Sequence, residues 1–372
     1  MNNKPRSNDK YEKLPISCKI SLILAGVCLF IYSVSLISED IADFFNFRIA
    51  SVFRFLFAKL TDILPFSLSE ALIVTLPITA SLLIWYILKY RCNTPRATRT
   101  SLLCIISVAS LFFSSFTLTV ATGYQGKTLS EKLGLEIKKV SAQELYESAE
   151  YLVDRINELS PDIVYSNDGF SENPHDLQET GEKLIKSFDA FSSENRFIKN
   201  FKSRLKPVML SNALSRMHVT GVYTFFTGEV NINSDFPDYT IPFTAAHELA
   251  HQRGVSREDE ANMIAFLICI GSEDSYIRYC GYLNMYEYIS EALYQADAKL
   301  FKRVDGRLSP LVRRELLAYG DFFDEYESTV ESEATGALND AYLKTQGTVG
   351  KKSYGLVVDL VIAYFKKTST VE

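Results

Sequence analysis

Three uncharged apolar runs in the first third of the chain decide what it can fold into. The first, Ile20 to Ser38, is rich in Leu, Ile and Val and is just long enough for a helix to cross a bilayer core. It is too long for the apolar part of a cleaved signal peptide, and no small-x-small cleavage site follows it. The second, Ala71 to Leu88 within an expected helix over about 68–88, keeps Pro77 as membrane helices often do, and ends near Trp85 and Tyr86, which suit the lipid–water interface. The third covers about 101–121. We therefore expect a cytoplasmic tail over 1–19, a membrane anchor over 20–122 with three transmembrane helices, and a separate domain over 123–372. Between the first two runs, IADFFNFRIASVFRFLFAKLTD mixes Phe and Leu with scattered charges. It reads as an amphipathic segment lying at the membrane surface, with a re-entrant or short fourth span as the alternative.

Lys and Arg set the expected orientation, because positive loops resist translocation. The tail carries Lys4, Arg6, Lys10, Lys13 and Lys19, and the 89–99 loop carries Lys89, Arg91, Arg96 and Arg99 without one acid. Both are expected in the cytoplasm, whereas the loop between the first two spans has balanced charge. Three spans then place the domain after about Gly123 outside, making this a multi-pass cell-membrane protein with an extracytoplasmic domain. Residues 1–126 carry 12 Lys and Arg against 7 Asp and Glu, so most of the excess acid lies in the remainder. An acidic domain with no basic run excludes nucleic acid as a partner. The six cysteines (18, 28, 92, 104, 269, 280) form no CxxC pair. They read as small buried hydrophobes, with a Cys269–Cys280 disulfide as the alternative in an oxidising compartment.

The domain is expected to be mainly α (α+β). Ser141-Ala-Gln-Glu144 is a capping box, followed by one apolar stripe through Leu145, Ala149, Leu152, Val153, Ile156 and Leu159. Pro161 to Pro174 is a polar loop, and helical patterns resume over Leu177–Phe191 and Arg196–Leu205. HVTGVYTFFTGEVNIN, from His218 to Asn233, is rich in β-branched and aromatic residues around Gly228 and predicts a short β-hairpin or small sheet. Leu356 to Phe365 is apolar but too short to span a membrane, so a docked C-terminal helix is expected.

Chemistry concentrates in TIPFTAAHELAHQRG. Pro242 suits a first helical turn and Gly254 falls just past the last, predicting a helix of about three turns. His247 and His251, four residues apart, share a face on which both imidazoles can bind one Zn²⁺. Glu248 between them can hold and deprotonate the attacking water. Half of the four histidines in the chain fall in this helix. His175 and His218 read as surface or hydrogen-bonded structural histidines. Tyr276, Tyr279, Tyr282 and Tyr286 include possible oxyanion donors, but in a chain with 21 Tyr a packing role is expected for each.

In the next segment, GVSREDEANMIAFLICIGS, Ser256 and Asp259 form a second capping pair, so a new helix starts soon after Gly254 and folds back against the first. A Glu on such a helix as third ligand is the arrangement of gluzincin peptidases, and EDEANMIAFL resembles the Glu-x-Glu-Ala-Asn pattern of bacterial repressor-cleaving metallopeptidases. With Ser256 as cap, Glu258 and Asp259 are accounted for by the helix dipole. Glu260 points inward with Ile264 and Leu267, so Glu260 is the expected third ligand and Glu258 its competitor.

The three-span amino terminus, FFTGEVNIN, FTAAHELAHQRGVSREDEAN, YCGYL, NDAYLKTQG and KKSYGLVVDLV together resemble an uncharacterised family of bacterial membrane proteins with a zinc-peptidase signature. That resemblance implies a membrane-anchored zinc metallopeptidase with a gluzincin-like domain and a peptide or protein substrate. An extended substrate is expected to pair with the strand containing Val230 to Asn233. Two rivals remain: a membrane sensor with regulated proteolysis, and a catalytically silent zinc-stabilised envelope binding domain. Oligomeric state is left open by the sequence.

Overall fold

A computed structural model describes residues 14–91, 95–324, 326, 330–348 and 356–369. The basic tail expected at the amino terminus thus lies largely outside the described residues. Among the described residues, three helices are long and apolar enough to cross a membrane: Ile16–Ser35, Leu68–Tyr90 and Thr98–Thr119. The first of these is α1 (Ile16–Ser35), and the other two are built on α4 (Leu68–Tyr86) and α5 (Pro95–Thr119). Pro77 is accommodated inside α4. Side chains such as Ile73, Ile78 and Leu82 are exposed on α4, the surface a lipid environment would cover.

The segment between the first two apolar helices differs from expectation. It forms α2 (Glu39–Phe44), a π-helical turn (Phe45–Ala50) and α3 (Ser51–Thr61). Its polar side is turned inward: Asn46 and Arg54 are 1% and 0% exposed. The reason is tertiary, since both side chains find distant hydrogen-bond partners, Asn46 at the Gly254 carbonyl and Arg54 at the Thr119 carbonyl.

After α6 (Leu129–Leu133), the expected capping box at Ser141 and Glu144 starts α7 (Ala142–Leu159), whose apolar stripe is buried. α8 (Leu177–Glu194) follows the polar loop. The helix expected over Arg196–Leu205 does not form. Its backbone groups have distant partners instead: Arg204 N donates to Asp62 (3.0 Å), and the Phe201 carbonyl accepts from Arg253 (2.8 Å). The segment ends in β1 (Leu205–Pro207), and α9 (Ser211–Arg216) precedes the hairpin of β2 (Gly221–Thr224) and β3 (Glu229–Ile232).

The sheet order is β1-β3-β2, with β1 parallel and β2 antiparallel to β3. Both edges of β3 are therefore paired, so the strand containing Val230 to Asn233 is central and cannot receive a substrate strand. The free edge beside the HELAH helix belongs to β2. Thr220 accepts from Asn233 N (2.9 Å), which puts Val222 and Thr224 in the bonding phase and turns the backbone of Gly221 and Tyr223 outward.

α10 (Thr240–Gln252) is the HELAH helix, and α11 (Glu258–Ile270) folds back along it. Then come α12 (Ser275–Ala296), α13 (Ala298–Asp305), α14 (Pro310–Asp324), α15 (Val330–Thr345) and α16 (Val357–Ser369). α12 packs on α7, α10 and α11, while α16 docks on α7, α11 and α12 as expected for a short apolar terminal helix. Nearly every residue of α10 and α11 is buried, which fixes the two helices that carry the candidate site.

Candidate metal centre

α10 ends as its sequence requires. Gly254 adopts φ +100°, open to glycine, and Arg253 N and Gly254 N bond back to the last turn. His247 and His251 sit one turn apart, with their rings edge-to-face and centroids 4.6 Å apart. His251 Nδ1 lies 2.7 Å from the Val255 carbonyl, which only accepts, so Nδ1 carries a proton and Nε2 is the nitrogen left to offer a lone pair to a cation. His247 Nδ1 lies 2.8 Å from Asn262 Oδ1, which orients this ring in the same way. Asn262 is oriented in turn by donating to Tyr288 Oη at 3.2 Å.

Both Nε2 atoms point at one place, 2.9 Å apart. Glu258 Oε2 completes a triangle, 3.2 Å from His247 Nε2 and 3.4 Å from His251 Nε2. Tetrahedral zinc with bonds of about 2.0–2.2 Å requires ligand atoms about 3.3–3.6 Å apart, so the triangle is close to one face of that tetrahedron. Among the described residues this is the one group of three His, Cys, Asp or Glu side chains positioned to share a cation. Donor set and spacing fit zinc.

Glu258 stands where the sequence argument placed Glu260. The structure places Ser256 outside the cap: its hydroxyl donates to the Val120 carbonyl (2.8 Å), and Arg257, without a side-chain cap bond, precedes the first helical residue, Glu258. The helix therefore starts one residue later than the Ser256 cap implies, and Glu258 turns to the imidazoles. Glu260 does point inward, but it accepts from Leu129 N at 2.8 Å. A backbone donor there does the work expected of a cation. Burial lifts its pKa to about 7.

Glu248 is 6% exposed and accepts from Tyr223 N on the outward edge of β2 at 2.6 Å. Gly221 makes this approach possible, since a Cβ there would lie 2.9 Å from Glu248 Cγ and 2.8 Å from Thr244 Cγ2. Burial raises the Glu248 pKa. Burial alone would lower that of His251, but the charge and hydrogen bond of Glu258, the charge of Glu248 and the Val255 carbonyl together outweigh it and lift His251 to about 9. Burial would likewise raise Glu258, yet the two imidazoles hold it well below the usual carboxylate range. Such a strongly coupled His-His-carboxylate set is what a bound divalent cation would stabilise.

The remaining sequence candidates lie elsewhere. His175 bonds Asp274 (2.7 Å), and His218 bonds the Tyr326 carbonyl (2.9 Å) from a left-handed backbone of φ 56°. Tyr276, Tyr279, Tyr282 and Tyr286 are all buried, and the first two serve an internal network around the fully buried Glu315. Cys269 and Cys280 are buried free thiols, not a disulfide. Asn262, Tyr288 and Tyr223 escaped the sequence reading. Asn262 had a usable signal, four residues after Glu258 and hence on the same helix face, but the assumed cap hid it.

The fold and site together define a mostly helical protein with, among the described residues, three helices of membrane-spanning length and a half-buried His-His-Glu cluster on two packed helices. The chain belongs to the family described as protein of unknown function DUF3810, whose family model matches residues 45–362. The match takes in the cluster and the last two apolar helices, while α1 precedes it. No curated protein and no solved structure matches the chain.

Proposed function

We propose that the protein is a membrane-anchored zinc-dependent metallopeptidase of gluzincin type, with its catalytic domain outside the cytoplasmic membrane. One observation carries the reading: the lone pairs of His247 and His251 and an oxygen of Glu258 converge within 3.4 Å, each ring held by its own second nitrogen. His247, His251 and Glu258 would hold the zinc. When bound, zinc supplies Lewis acidity that polarises a carbonyl and makes water nucleophilic near neutral pH.

Glu248 takes the proton of the attacking water as the new carbon–oxygen bond forms. It then delivers that proton to the leaving amine as the carbon–nitrogen bond breaks, so an amide and a water become an acid and an amine. Burial favours this shuttle by raising the Glu248 pKa toward neutrality. The outward-facing backbone of Gly221 and the carbonyl of Tyr223, whose N–H is taken by Glu248, suit an extended peptide added along β2.

The test is zinc analysis and peptide-library cleavage by the full chain in detergent or lipid, beside Glu248→Gln. Stoichiometric zinc with cleavage lost in the variant supports the reading. Stoichiometric zinc without cleavage by the wild type makes it the silent binding domain instead.

A further inference from the structure

We propose that Arg54 and Asn46, from the segment between the first two apolar helices, are positioning residues of the metal centre. This rests on the reading of His247, His251 and Glu258 as metal ligands.

Arg54 is wholly buried, and its guanidinium is held by neutral acceptors: Asn46 Oδ1 at 2.9 Å, the Thr119 carbonyl at 3.0 Å and the Asn46 carbonyl at 2.6 Å. Its Nε has no hydrogen-bond partner. A buried cation held this way is costly unless something else favours it there. That something is the carbonyl end of α10, where a helix carries partial negative charge. A Cβ built on Gly254, two residues past α10, would lie 2.4 Å from Arg54 Nη2 and 3.1 Å from Asn46 Oδ1. Glycine is thus required at 254 for its backbone angle and for the room that Arg54 occupies. Asn46 completes the contact by donating to the Gly254 carbonyl at 2.8 Å.

The residues held here connect the ligands. The turn from Arg253 to Arg257 joins α10 to α11, with His251 just before it and Glu258 just after. It also carries the Val255 carbonyl that orients His251. Besides Asn46, the Val120 carbonyl holds Ser256 (2.8 Å), and the Tyr124 carbonyl holds Arg257 (2.9 Å). The geometry of the ligand triangle is therefore set from one side by the 46–54 segment and by the chain leaving α5. Arg54 also lies in electrostatic range of Tyr223, whose backbone N–H holds Glu248. The centre is assembled only when the membrane-proximal segment is in place, so a piece beginning at 123 lacks part of it.

The experiment uses the full chain in lipid nanodiscs, stripped of metal and titrated with Zn²⁺ against a chromophoric chelator, then loaded with Co²⁺ for its visible ligand-field spectrum. Arg54→Met should weaken zinc by about 10- to 100-fold, the range for loss of an outer-shell partner, and shift the cobalt bands. Arg54→Lys should recover part of the affinity. Leu152→Ala, a core truncation in α7, lowers thermal stability and should leave both readouts unchanged. If Arg54→Met does not fold, Ser256→Ala decides, because it cuts one bond from the same turn and should weaken zinc by about tenfold. Wild-type affinity and spectrum in the folded variants overturn the positioning role alone. A wild-type chain that takes up no zinc overturns the metal reading and this inference with it.

Discussion

Glu248, Glu258 and Glu260 are three buried or half-buried acids within thirteen residues, and their partners give them different duties. Glu248 touches a backbone N–H and would touch the attacking water, so Glu248→Gln should abolish hydrolysis by orders of magnitude with zinc content unchanged. Turnover retained by that variant on a true substrate would remove Glu248 from the mechanism. Glu258→Ala should strip zinc from the purified chain. Glu260→Ala should keep it and lose about 1–2 kcal/mol of stability, because Leu129 N loses its acceptor. Metal analysis and thermal unfolding of the pair check this, and the opposite pattern would restore Glu260 as the ligand. Glu287 is separate: burial raises its pKa from 4.5 to about 8, with Tyr239 as hydrogen-bond donor at 3.1 Å. A carboxyl whose pKa is higher folded than unfolded stabilises the fold below about pH 4.5, and that contribution is lost as pH rises to about 8. Glu287→Gln should therefore flatten the fall in stability across this window, measured as unfolding temperature against pH. A profile parallel to wild type would show that Glu287 is ionised in the folded protein.

Between elements, polar contacts join the start of α4 to the small sheet, while Phe112 and Phe116 of α5 pack on Phe226 and Phe225 of the β2–β3 loop. Glu229 of β3 is 2% exposed and accepts from Leu68 N (3.0 Å) and Ser69 N (2.8 Å), the first turn of α4. Asn231 on the same strand accepts from Ser67 Oγ at 2.6 Å and donates to the Val222 carbonyl at 3.2 Å. A helix N-terminus needs acceptors for its free N–H groups, and a carboxylate is the best of them. Glu229→Ala should leave two such groups unmet and cost about 1–3 kcal/mol, read as a lower unfolding temperature of the full chain. An unchanged temperature would mean that water or Ser67 replaces the carboxylate without cost. Because β3 hydrogen-bonds β2, and β2 holds Glu248, the same contacts tie α4 to the strand beside the candidate site.

For the whole molecule, the proposed orientation follows from nine basic residues in the tail and the 89–99 loop. A Cys placed in the Pro161 to Pro174 loop should react with an impermeant thiol reagent in intact cells. Labelling only after lysis would put the domain after 123 in the cytoplasm. The described native cysteines interfere little, since Cys28, Cys269 and Cys280 are buried, and Cys18 and Cys104 lie within apolar helices.

What the sequence determined by itself was whatever depends on local chemistry. Run length and absence of charge marked the three apolar helices, the Ser141–Glu144 box marked the start of α7, and Pro242, Gly254 and the four-residue histidine spacing marked α10. Each is a property of neighbours within a few turns, where helix geometry alone relates position to direction. Which glutamate joins the two histidines was decided only by tertiary structure, because Ser256 gave its hydroxyl to Val120, 136 residues away, and so did not cap α11. The same holds for the unformed helix at 196–205, for β3 as a central strand, and for the buried face of the 46–54 segment. In each case a side chain or backbone group had a local partner available and took a distant one. A buried polar group must be satisfied wherever the fold leaves it, and which partner does so is not written in neighbouring residues.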